Sequence, residues 1–241
     1  MTYESIFESQ LASGNIADHL TLRLMNRGRN SVIEKSCPHL IFEDLMAVPY
    51  WKLDDNAYIR INHDFSRRLL RMTDDEILTA ARSAEEKRHF TITGIKEALK
   101  VLIGDSISKE YLTEMLPSDA VPLFVMTSED RCFGAAAILS KNTLRRAETV
   151  LCETEYYVIP SSIHEVMLIP GSMVIDPADL KEKCIQVNES HVFPTEVLGD
   201  NIYRWNGHKL QICNGLEDLI TQRANEGERE ELNPQMIRSM K

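Results

Sequence analysis

Residues 156–170 read Tyr-Tyr-Val-Ile-Pro-Ser-Ser-Ile-His-Glu-Val-Met-Leu-Ile-Pro. Two β-prone apolar runs, Tyr156 to Ile159 and Val166 to Ile169, flank a polar centre of Ser161, Ser162, His164 and Glu165. Such runs bounded by proline and glycine read as strands, and Gly171 closes the second. Polar groups between two strands need partners, because one left buried and unpaired costs about 1–3 kcal/mol. The stretch is therefore either a tightly specified structural joint or part of a site.

Downstream, Asp176-Pro177-Ala178-Asp179 is a strong helix start: an aspartate cap, a proline at the first helical position and an acid in the first turn. That helix is expected to run to about Glu189. Tyr203 to Trp205 and Lys209 to Cys213 flank Asn206-Gly207, a two-residue hairpin signal. After Ile220 the chain is polar and reads as a solvated helix or frayed tail.

Upstream, Val121 to Thr127 reads as a strand, with Glu129-Asp130 as a turn. Gly134 to Leu139 fits a strand or the start of a helix, and Asn142 to Cys152 a helix. Thr73-Asp-Asp-Glu76 is a capping-box pattern that starts a helix over Asp74 to Lys87. Further helices are expected over Thr93 to Ile103, stopped by Gly104, and over Ser108 to Leu116. Ala57 to Ile61 reads as a strand that pairs with Tyr50 to Leu53. Ile41 to Ala47 fits helix or strand equally. The recurrence of Ile6, Phe7, Leu11, Ile16, Leu20, Leu24 and Met25 fits one interrupted amphipathic helix or two short ones.

Strands and helices mixed in this way, with short connections late in the chain, predict an α+β protein. An N-terminal helical region precedes an antiparallel sheet with helices packed on one face. The expected division is 1–117 mainly helical, 118–220 sheet-containing and 221–241 a polar tail, with the boundary at Pro117–Pro122.

The 37 acidic residues exceed the 27 basic ones, giving a net charge of −10. That balance argues against general nucleic-acid binding, which rests on neutralising phosphates. Arg23, Arg27 and Arg29 cluster, as do Arg67, Arg68 and Arg71, but helical spacing would spread both groups over a solvated face. The five cysteines, Cys37, Cys132, Cys152, Cys184 and Cys213, are far apart and form no C-x-x-C. Reduced thiols and a cytoplasmic location fit this usage. The acidic N-terminus carries no signal-peptide core, and no run approaches the roughly 20 apolar residues of a membrane span.

A serine hydrolase would use Ser161 or Ser162 as nucleophile and His164 as base. In an extended segment Ser162 and His164 share a face and Glu165 points away, yet there is no G-x-S-x-G elbow. A β-bend, whose serines bond to backbone and whose histidine packs under a loop, is the plainer account. His164-Glu165 lacks the second histidine of H-E-x-x-H, since Leu168 stands there. His39, His63, Asp64, His191 and His208 could join a metal site only through the fold. Cys37 and His39 are close enough to meet, without a signal for a lowered thiol pKa. Gly134-Ala-Ala-Ala follows a strand, but no phosphate-binding glycine motif is present, and close packing explains it better. No cofactor or metal is called for.

Three groups of residues carry a resemblance. The first is Leu24-Met-Asn-Arg-Gly-Arg-Asn30 followed by Cys37-Pro38-His39. The second is Phe124-Val-Met-Thr followed by Gly134-Ala-Ala-Ala-Ile-Leu139. The third is Tyr157 to Pro170, trailed by Asp179-Leu180, Val187-Asn188-Glu189 and Asp200-Asn201-Ile-Tyr203. Together they resemble a family of uncharacterised bacterial proteins, a domain of unknown function frequent in anaerobic gut bacteria and their mobile elements. The resemblance spans about residues 18 to 205 and implies a shared fold and a phage- or plasmid-related setting. It carries no catalytic residue with it.

The sequence therefore points to a non-enzymatic binding or regulatory protein with a protein partner, with no membrane and no general nucleic-acid binding. Ser162, His164 and Glu165 are the expected binding residues. A mobile-element protein that inhibits a host factor fits this reading. A serine hydrolase or transferase using Ser161 or Ser162 with His164 is the alternative.

Overall fold

The structure is a computed structural model and describes residues 2–55, 57–98 and 122–226. It is α+β, with two antiparallel sheets among the described residues. The smaller comprises β1 (Leu20–Asn26), β2 (Leu40–Phe42), β3 (Leu45–Lys52) and β4 (Tyr58–Arg60). The larger comprises β5 (Phe90–Gly94), β6 (Phe124–Ser128), β7 (Tyr156–Ile159), β8 (Glu165–Pro170), β9 (Tyr203–Trp205) and β10 (Leu210–Ile212). Its order is β10-β9-β7-β8-β6-β5, with every pair antiparallel. Among the described residues the helices include α1 (Tyr3–Ala12), α2 (Ser31–Ser36), α3 (Asp74–Lys87), α4 (Lys141–Leu151), α5 (Pro177–His191) and α6 (216–226).

The small sheet is built around β3. It pairs with β1 from Leu20↔Trp51 to Asn26↔Leu45, with β2 at Leu40↔Ala47, and with β4 at Tyr50↔Arg60. All of β3 except Lys52 is buried, so its sequence shows no in-out alternation. The outer edge of β1 is closed by a side chain of α3. Glu85 accepts from Leu22 N at 3.0 Å and from Thr21 Oγ1 at 3.3 Å, and Arg88 Nη1 donates to its other oxygen at 3.0 Å. Covering an edge in this way removes an open pairing surface. Glu85 is buried, and that burial raises its pKa against the lowering effect of Arg88.

The capping box forms as expected: Thr73 Oγ1 accepts from Glu76 N, and Thr73 N donates to Glu76 Oε2 at 2.8 Å. Asp176 Oδ1 accepts from Ala178 N at 2.9 Å and starts α5. Three other expectations are corrected. Helix over Ile6 to Met25 holds for α1 but not for Leu20–Asn26, which is β1. The helix expected to begin at Thr93 is preceded by strand, because Thr93 and Gly94 end β5 and helix begins only at residue 95. The hairpin turn is shifted by one residue. Asn206 N donates to Lys209 O at 3.3 Å, so Gly207 and His208 are the central pair, with Gly207 at φ 85°. The stop at Gly104, the helix over Ser108 to Leu116, the boundary at Pro117 and the tail beyond residue 226 lie outside the described residues.

Alternation divides the large sheet. Tyr156, Val158, Val166, Leu168, Tyr203 and Trp205 face the main core, which they share with the small sheet, α3, α4 and the 3₁₀ segment Gly134–Leu139. Leu144, Ala147 and Leu151 line the buried stripe of α4. Helix also lies on the other face, where Tyr157, Ile202 and Cys213 pack with Cys184 of α5 and Leu219 of α6.

Candidate functional site

The β7–β8 hairpin tip uses both serines on its own backbone. Ser161 Oγ donates to Glu165 O at 3.0 Å. Ser162 Oγ accepts from His164 N at 3.0 Å and from Glu165 N at 3.3 Å, and Ser162 N donates to Glu165 O at 3.1 Å. These are the local hydroxyl-to-backbone bonds that shape turns. Among the described residues no hydroxyl is hydrogen-bonded to the His164 ring. Glu165 opens β8 opposite Thr127.

His164 is held by a different loop. Thr127 Oγ1 donates to its carbonyl at 2.7 Å, and Phe133 N donates to Nδ1 at 3.4 Å. Nδ1 is thus the acceptor, which leaves the proton on Nε2. Its ring stacks on Phe133 with centroids 6.1 Å apart and planes at 17°. Nε2 lies 3.9 Å from Glu196 Oε1, too far for a hydrogen bond.

The loop 128–134 that carries Phe133 is strained. Arg131 and Phe133 both adopt φ 53°, in the left-handed region, where a bulky side chain is a genuine outlier. Such conformations cost about 1–3 kcal/mol each and persist only where the surroundings fix them. Here Asp130 fixes the loop. Its Oδ1 accepts from Ser128 Oγ at 2.7 Å, Arg88 Nη2 at 2.8 Å and Cys132 N at 3.2 Å, while Lys52 Nζ lies 3.3 Å from Oδ2. Burial alone would raise its pKa, but the bonds from Ser128 and Arg88 prevail and hold it down at about 2. Arg88 also donates to Cys132 O. After Phe133 only glycine fits, since a Cβ on Gly134 would meet His164 O and Thr127 Oγ1 at 2.4 Å. The Cys132 thiol beside this network has its pKa raised by burial, the opposite of an activated nucleophile.

Arg23 completes the group. Its guanidinium carbon lies 5.3 Å from the centre of the Phe133 ring and 5.7 Å from that of Tyr50. Among the described residues its Nε is buried without a hydrogen-bond partner, and Nη2 reaches only Thr195 O, at 3.4 Å. The next residue in the chain is Glu196, whose carbonyl accepts from Ile163 N at 3.0 Å. The fold therefore joins the His164 ring to Phe133, and through it to Arg23, beside Glu196, while Ser162 reaches only the backbone of His164. Arg23 fell in a run read as helix, so its place on β1 was not legible in the sequence. Phe133 and Glu196 carry no signal in the sequence.

The other stretches behind the resemblance meet at a second place, between the two sheets. Asp44, in the β2–β3 turn, accepts from Tyr203 Oη at 2.6 Å and Asn201 Nδ2 at 2.9 Å. Arg29 Nη2 donates to Asp200 at 3.0 Å, and Asn188 Nδ2 donates to Gly199 O at 2.9 Å and to Asp200 at 2.8 Å. This junction fills its own donors and acceptors. A family model matches residues 3–206. The chain belongs to this family, DUF5688, a family of unknown function. No curated protein and no solved structure matches the chain. In this DUF5688 protein α6 lies beyond the matched residues, yet it supplies Gln222 and Glu226 to Arg204 of β9.

The remaining candidates are dispersed. His39 Nδ1 bonds to the Cys37 carbonyl at 3.0 Å rather than to the thiol, which is buried. His63 pairs with Asp74 at 3.0 Å. Among the described residues no three His, Cys, Asp or Glu side chains gather as a metal site, and no helix is long and apolar enough to cross a membrane. A cavity of about 730 Å³ lies on the second face of the large sheet, between Ile159, Met167 and Ile169 of β7 and β8 and Leu180, Cys184 and Val187 of α5. Ser161 lies on its wall, while His164 does not.

Proposed function

We propose that this DUF5688 protein works by binding a partner protein, through the apolar groove between the large sheet and α5, rather than by hydrolysis at Ser162 and His164. The observation that carries the reading is the groove's rim: Ile175 is 90% exposed, Met173 51% and Val187 44%. Contiguous exposed apolar side chains around a concave surface mark interaction sites. The net charge of −10 favours a partner with a basic surface. In a mobile-element setting that partner would be a host factor, which the protein inhibits by occupying it.

The test is affinity purification of the tagged protein from its native cells, beside an Ile175→Asp/Val187→Asp variant. Both residues are exposed, so the variant keeps the wild-type melting temperature. The reading expects one stoichiometric partner with the wild type and none with the variant. A partner retained by the variant, or an esterase activity abolished by Ser162→Ala, overturns it.

A further inference from the structure

Most arginines that this fold draws inward meet a carboxylate: Arg88 meets Glu85 and Asp130, Arg27 meets Glu34, and Arg204 meets Glu155 and Glu226. Arg23 is the exception. Among the described residues no carboxylate lies within ion-pair distance of it, its Nε is buried and unpartnered, and one long bond to a carbonyl is its whole hydrogen bonding. A guanidinium in this state has been stripped of water on one edge and given aromatic faces, which attract it without using its donors. His164 adds a second open donor, because its Nδ1 takes the Phe133 N–H and, among the described residues, its Nε2–H has no acceptor within 3.5 Å. Both groups touch the Phe133 ring and reach the adjacent residues Thr195 and Glu196. Phe133, held in the left-handed region at φ 53°, presents its ring to both.

We infer that Arg23 and His164, arranged about Phe133, form a binding site for a small, singly charged carboxylic acid. The planar fork of arginine matches a carboxylate edge. Glu196 selects the charge: its carboxylate, 3.9 Å from His164 Nε2, repels a phosphate dianion or an acidic peptide more than a monoanion. None of these residues lines the apolar groove, so the site stands whether or not a protein partner binds there.

The test uses the full chain, labelled with ¹⁵N, and sodium acetate as probe at constant ionic strength. The Arg23 Nε–H and Phe133 N–H resonances are followed. The expected result is a saturable shift of both, matched at higher concentration only by inorganic phosphate and by an amidated triglutamate peptide. Arg23→Gln should weaken acetate at the Phe133 signal by about tenfold or more, the loss of a charge-assisted bond. Glu196→Gln, at a half-exposed position that leaves folding intact, should tighten it by about twofold to fivefold. No saturable shift, an affinity unchanged in Arg23→Gln, or tighter binding of phosphate or peptide than of acetate would overturn the inference.

Discussion

Arg204 lies on β9 with 2% of its side chain exposed, between the carboxylates of Glu155 at 2.6 Å and Glu226 at 2.7 Å. Arg23 lies on β1 against the adjoining rings of Tyr50 and Phe133 and touches no carboxylate among the described residues. Both keep a buried Nε without a partner among the described residues. The first arginine has its counter-charges supplied by its own chain, from the β7 approach and from α6, and so works as a pin between the sheet and α6. The second has been desolvated and positioned but left able to accept a foreign carboxylate. Removing one member of a buried ion pair is costly because the other is left uncompensated. Removing a cation that lacks such a partner is not.

The largest effect is expected at the pin. Arg204→Ala leaves Glu226 without its cation and Glu155 with Arg223 alone, and should cost about 3 kcal/mol. It should also release α6, so hydrogen exchange over 216–226 should accelerate more than exchange in β1. Equal acceleration in both would break the contrast.

Acid should loosen the Arg23 surroundings next. The pKa of Asp130 falls from 3.8 to about 2 on folding, so the unfolded chain binds its proton first as pH drops. Its stabilisation is complete above pH 3.8 and is lost as pH falls through about 2. Glu155, held down by Arg204 and Arg223 against its burial, acts in the same direction. The melting temperature of Asp130→Asn should therefore fall less steeply than that of the wild type between those two pH values. A parallel fall would mean that Asp130 does not hold the Phe133 loop.

A smaller loss, about 1 kcal/mol, is expected for Ser162→Ala, which removes the acceptor for His164 N and Glu165 N. Urea unfolding reads this directly, and a neutral result would show that the hairpin tip does not depend on that hydroxyl.

Much of the fold was legible where local chemistry decides it. The runs around Pro160 became β7 and β8, Thr73 and Glu76 formed their capping box, and Asp176-Pro177 started α5. Long-range pairing was less visible. Leu20, Leu24 and Met25 fit helical spacing as well as a strand, and only the partnership with β3, some 20 to 30 residues away, decides for β1. At the hairpin tip the residue types were right for a site, but Ser162 turned inward to its own backbone. The partners of His164 come from three separate loops or strands, so no spacing in the sequence could join Arg23, Phe133 and Glu196.

The most direct test of the contrast is urea unfolding of Arg23→Gln and Arg204→Gln side by side. The account predicts a loss of about 3 kcal/mol for Arg204→Gln and a change within about 1 kcal/mol for Arg23→Gln, the scale of its contacts with two rings. Equal, large losses from both would contradict it, because Arg23 would then be a structural pin like Arg204 rather than a cation held open for a ligand.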